Sequence, residues 1–174
     1  SLLRSGRGAR FLEGQRLDGE EWLAVADVEG RGTEARIFRA AALSLAEIEE
    51  WFGGQVEEAE EVRWDGQAGR VVARRVRRLG AIEMGEAPLR DPDPGAVAAA
   101  LMDGVRAAGV ASLAWSKETT QLRERLETLH RLEPERWPAS SDAALEATLD
   151  DWLLPFVAGH RRVEDLRKVD LAQA

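Results

Sequence analysis

The 174-residue chain has 24 Lys and Arg against 32 Asp and Glu, a formal net charge of -8, with 44% hydrophobic and 32% charged residues. This is the composition of a globular chain able to bury a core without staples, and its apolar runs fall far short of a bilayer span. The absence of Cys excludes disulfides and thiolate metal sites, and two histidines, His130 and His160, are too few for a histidine-rich centre.

The start, SLLRSGRGAR, has neither an initiator Met nor an apolar signal core, so the chain is expected to be an excised piece of a longer protein, with the cytoplasm as its default compartment. RGARFL could supply a first strand. EWLAVADV and TEARIFRAAAL read as two strands joined by EGRG, a hairpin over residues 21 to 42. SLAEIEEWFGG is a short helix with Ser44 as cap, Glu47 completing a capping box, and Gly53 and Gly54 as stops. QVEEAEEVRWD and GRVVARRVRRLGAIEM then read as two more strands. The order βββαββ is that of an OB-type barrel, so the fold class expected is α+β: an OB-like β-barrel domain over residues 1–86, then a small all-α domain over 87–174.

The boundary falls in EAPLRDPDPG, where the hydrophobic period changes. Asp93 caps and Pro94 opens a helix ending at Gly109. SKETTQLRERLETLHRL sets Leu122, Leu126, Leu129 and Leu132 near one face. SSDAALEATLDDWLLPF, with Leu145, Leu149, Trp152 and Leu153 facing a partner, and RVEDLRKVDLAQA complete an expected four-helix cluster.

RVVARRVRR, Arg70 to Arg78, concentrates five arginines in an acidic chain. A four-residue loop after Asp65 pairs positions whose numbers sum to 135, which sets Glu61 against Arg74, Glu60 against Arg75, Glu58 against Arg77 and Glu57 against Arg78. Two readings stay open: hairpin pairing and domain docking, or contact with a nucleic-acid backbone. From 57 to 78 six Arg face five acids, a weak net field. Arg4, Arg7 and Arg10 meet no acid before Glu13 and are the better phosphate candidates. The candidate nucleic-acid contacts are therefore Arg4, Arg7, Arg10, Arg74, Arg75, Arg77 and Arg78.

No GxxxxGK(S/T), GxSxG or HExxH occurs, so no catalytic, cofactor or metal residue is assigned. Asp91 and Asp93 read as turn and cap, and Asp150 and Asp151 as helix surface. Six Trp, at 22, 51, 64, 115, 137 and 152, could stack on bases, but each lies beside apolar residues and packing is expected for at least four.

EEVRWDGQAGRVVARRVRRLGAI, with SGRGARF and GEEWLAVADV before it and DPDPGAVAAAL, LAWS, LRERLETLHRL and WPASSDAALEATLDDWLLPFVAG after it, resembles the HrpB family of bacterial DEAH-box ATP-dependent helicases. The resemblance implies a longer parent whose motor domains hold ATP and Mg, with this chain as a non-catalytic accessory region. It implies as partners the motor domains of the same polypeptide and, weakly, single-stranded RNA, with no membrane. The alternative is a structural or protein-interaction module whose arginines serve pairing and docking.

Overall fold

The computed structural model describes residues 1–11, 17, 19–30 and 34–171. Alternating apolar residues in the first third produce three strands, β1 (Gly8–Phe11), β2 (Leu23–Glu29) and β3 (Glu34–Ala42). β2 and β3 pair antiparallel as expected, Leu23 with Ala42 and Glu29 with Arg36 around an irregularity at Asp27, while residues 31 and 32 of the expected EGRG turn lie outside the described residues. β1 lies parallel to the other side of β3, which gives the order β1-β3-β2. The inward positions Ala9, Ala35 and Ile37 are buried, and Leu3, Phe11, Val25 and Ala40 pack on them.

The helix α1 (Leu45–Phe52) follows with its capping box in place: Ser44 Oγ accepts from the Glu47 amide, and the Glu47 carboxylate accepts from the Ser44 amide at 2.8 Å. The chain then forms β4 (Glu57–Asp65), β5 (Arg70–Leu79) and β6 (Ile82–Pro88), a second sheet of order β4-β5-β6. The expected single strand from 69 to 84 is thus two strands, because Gly80 turns the chain at φ +61°. A Cβ at Gly80 would lie 2.6 Å from the Arg4 carbonyl oxygen, and that carbonyl accepts from the Ala81 amide at 2.9 Å. Only glycine fits both the conformation and the approach.

The observed order is therefore βββαβββ, and its six strands make two three-stranded sheets that are not closed into an OB barrel. The turn at Gly80 divides what the sequence presented as one strand, and β1 attaches parallel to β3.

The helical segment begins with α2 (Pro94–Ala108), whose first turn is capped by the Asp93 carboxylate on the Ala96 amide at 2.7 Å. α3 (Lys117–Leu132) is capped by Ser116. Its buried residue is Thr119; Leu126 and Leu129 are half-buried, and Leu122 and Leu132 are exposed. The expected helix at 140–156 is broken into α4 (Asp142–Ala147) and α5 (Leu149–Leu153). Thr148 leaves helical geometry, and the indole N–H of Trp152 donates to the Leu145 carbonyl at 2.9 Å, an oxygen that a continuous helix would bond through residue 149. The last expected helix is instead a 3-10 segment over Val163–Lys168, opened by one β-branched valine, followed by another at Val169, and without a side-chain cap; residues 172–174 lie outside the described residues.

The chain divides into two compact units: Ser1–Glu60 with Arg75–Pro88, and Glu61–Arg74 with Leu89–Ala174. The second has the larger core, with Leu101, Met102, Val105, Val110, Leu153 and Val157 essentially sealed from solvent. At about 1.5–3 kcal/mol for each fully buried aliphatic side chain, this cluster dominates the stability of its unit. Strands β4 and β5 run through both units, their loop end belonging to the helical one. There Trp64 lies against Gly104 of α2, and the Val71 amide donates to the Arg161 carbonyl at 2.8 Å.

Candidate functional site

The arginines singled out in the sequence lie in the first unit or on the β4–β5 hairpin, and each is engaged by a neighbour. Arg4 donates to Gln55 Oε1 at 2.8 Å. Arg7 donates through one terminal nitrogen to the carbonyls of Gly30, at 2.6 Å, and Glu34, at 3.3 Å, while its buried Nε has no partner among the described residues. Arg10 sits on the exposed face of β1, 3.5 Å from Glu34.

On the hairpin, three of the four expected ion pairs form with the expected partners. Arg74 meets Glu61 at 2.9 Å, Arg75 meets Glu60 at 3.0 Å and Arg77 lies 3.8 Å from Glu58. Arg77 also reaches Glu49 of α1 at 3.0 Å, and Arg78 lies 3.6 Å from Glu83 of β6. A register chosen by charge alone treats the hairpin as an isolated ribbon. In the folded unit α1 and β6 supply further carboxylates. The structure thus gathers Arg74, Arg75, Arg77 and Arg78 on one strand, whereas Arg4, Arg7 and Arg10 bind separate parts of the first unit.

Four arginines outside that set behave differently. Arg63, Arg70, Arg161 and Arg162 are exposed and form no hydrogen bond through their side chains and no ion pair among the described residues. For two of them the summed register contained the signal: it places Arg63 against Val72, with no facing acid, and Arg70 against Asp65 at the loop mouth. Asp65 is occupied elsewhere, since its Oδ1 accepts from the Gln67 and Ala68 amides at 2.9 and 3.0 Å. The Ala68 amide foremost, with the Gln67 amide and the charges of Arg63 and Arg70, holds the Asp65 carboxyl below its ordinary value despite some desolvation.

The first unit also contains an open, mainly apolar cavity of about 1010 Å³, walled by Leu23, Val25, Ile37, Phe52, Ile82 and Met84 among others, with Arg4 and Glu86 on its lining. Among the described residues no group of three or more His, Asp or Glu could hold a metal ion, and no helix is long and apolar enough to cross a membrane. Five of the six tryptophans are half-buried; Trp115 tilts against Trp152 with ring centroids 6.1 Å apart and carries the Arg123 guanidinium on its ring at 4.3 Å. Trp51 on α1 is the exposed one.

The molecule is an α+β protein whose second sheet is shared between a small β unit and a helical unit. Residues 55–89, which span that whole sheet, match the family model for the connector region of the ATP-dependent RNA helicase HrpB. Over 99% of its length the chain is 32% identical to the ATP-dependent RNA helicase HrpB of Escherichia coli strain K12, and it spans 22% of that protein. Crystal structures of the E. coli DExH-box NTPase HrpB and of the Escherichia coli DEAH/RHA helicase HrpB match at 31% and 27% identity, each over 99% of this chain and 22% of that chain, both with TM-score 0.47. The resemblance to the HrpB family read from the sequence is borne out, and the matched portion is similar to that family's connector region.

Proposed function

We propose that this chain is a non-catalytic connector of an ATP-dependent RNA helicase, docking on the motor domains of its own polypeptide and working with them in the cytoplasm. The observation that carries this reading is the β4–β5 hairpin: its strands belong to both compact units, and its Arg74, Arg75, Arg77 and Arg78 are matched by acids of the same sheet and of α1. A stretch whose guanidiniums are already paired, as from Arg74 to Arg78, sets register and joins elements; it offers a phosphate chain little unbalanced charge. This favours the docking-module reading over RNA capture through Arg4, Arg7, Arg10, Arg74, Arg75, Arg77 and Arg78.

The test is reconstitution in trans. The motor portion of the parent polypeptide, prepared without this region, is titrated with the 174-residue chain while complex formation and RNA-stimulated ATP turnover are followed. Saturable binding with a change in turnover is expected. Absence of a complex at tens of micromolar rejects the docking role.

A further inference from the structure

The loop end of the β4–β5 hairpin is electrostatically unlike the strands behind it. Segments 63–70 and 160–168 carry Arg63, Arg70, Arg161, Arg162, Arg167 and Lys168 against Asp65, Glu164 and Asp165, six cations to three acids in a chain of net charge -8. The hydrogen bond from the Val71 amide to the Arg161 carbonyl, 2.8 Å, brings the two segments side by side in one unit. All six cations are exposed.

The acids nearest the loop are occupied. Glu61 is bound by Arg74 at 2.9 Å, and Asp65 turns Oδ1 onto the loop amides. The support beneath is fixed: Trp64 is seated against Gly104, and Val71 is buried in the helical core. Arg63 and Arg70, without an ion pair among the described residues, therefore project from a preformed element, which lowers the ordering cost of binding an anion.

We infer that Arg63, Arg70, Arg161 and Arg162 form a binding surface for the phosphodiester backbone of a nucleic acid, read without regard to base sequence. A guanidinium presents a planar fork that fits phosphate oxygens. A docking surface for an acidic protein would need an apolar or aromatic anchor at its centre. The loop exposes Gly66, Gln67 and Ala68, and its one indole is turned into the unit. The loop thus has charge without anchor or stacking platform, the signature of backbone contact. The surface lies apart from the paired Arg74, Arg75, Arg77 and Arg78 and does not depend on the connector reading.

The experiment is fluorescence anisotropy of a labelled 20-mer oligouridylate against the whole chain between 50 and 200 mM salt. Contact with four phosphates, at a slope of about 0.7 each for single strands, lowers affinity about 50-fold across that range. Arg63→Gln with Arg70→Gln removes two contacts, so binding at 50 mM weakens and the loss across the range shrinks to about sevenfold. Arg161→Gln with Arg162→Gln, outside the hairpin, reproduces this and guards against a local folding defect; circular dichroism checks both variants. Lys117→Gln with Arg125→Gln, which removes equal charge from α3, retains the original slope. An oligocytidylate of equal length binds alike. The inference is overturned if the wild type does not bind at 50 mM, if either arginine pair keeps the original slope, or if the α3 control loses as much. Displacement by oligoglutamate at equal charge concentration overturns it in favour of an acidic protein surface.

Discussion

Gly104→Ala sets two known effects against each other at the point where the hairpin enters the helical unit. Within a helix the change removes backbone freedom from the unfolded chain and gains about 1 kcal/mol. The new methyl, however, would lie 2.6 Å from Cδ2 and 2.7 Å from Cε2 and Cε3 of the Trp64 indole. Ordinary carbon contacts are about 3.5–4.0 Å, so the ring must retreat by about 1 Å. It cannot do so freely, because Val71 is tied to Arg161 at 2.8 Å and the Leu89 amide to the Ala73 carbonyl at 3.1 Å. Overpacking of this kind costs about 1–3 kcal/mol, and a rigid bicyclic ring belongs at the upper end. Net destabilisation of about 1–2 kcal/mol is expected in urea melts followed by circular dichroism. In a Trp64→Leu background the same glycine change should be neutral or stabilising by about 1 kcal/mol, since the ring is gone. Stabilisation in the wild-type background, or the same effect in both, would show that the indole is not seated on α2 at Gly104.

Glu60→Arg should destabilise by about 0.5 kcal/mol, a figure kept low because both partners are solvent-screened, and adding Arg75→Glu should restore most of it; simple additivity in denaturant melts refutes the pairing. Glu47 and Asp65 are both held below their ordinary values of 4.5 and 3.8, by the Ser44 backbone amide and by the Ala68 amide respectively. Their stabilising contribution is therefore complete above those values and lost as pH falls through the lowered folded ones; Ser44→Ala should shrink the acid-side loss in a pH series of melts. Trp152→Phe removes the donor to the Leu145 carbonyl and should cost about 1 kcal/mol, more than the same change at exposed Trp51, as thermal melts can compare. The chain alone should neither bind nor hydrolyse ATP; turnover abolished by mutating a residue within it overturns the connector assignment.

Local chemistry carried a good part of this structure. The capping box of Ser44 and Glu47, the Asp93 cap before Pro94, the β2–β3 hairpin and three of the hairpin ion pairs involve residues close in sequence or related by one register, so propensity and charge order suffice to find them. The resemblance to HrpB was likewise legible, because it rests on ordered blocks of residues.

What the sequence left open depended on contacts distant along the chain. The parallel seat of β1 on β3 has no turn signal, and the split at Gly80 answers to the Arg4 carbonyl, 76 positions away. The break at Thr148 is stabilised when an indole takes a helix carbonyl. Above all, which arginines are paired is decided in three dimensions: Arg77 and Arg78 find acids on α1 and β6, Arg7 finds backbone carbonyls, and Arg63, Arg70, Arg161 and Arg162 make no ion pair among the described residues. Charge order along a strand fixes the partners a strand can offer itself. Only the packing of other elements around it determines which charges are left for something else.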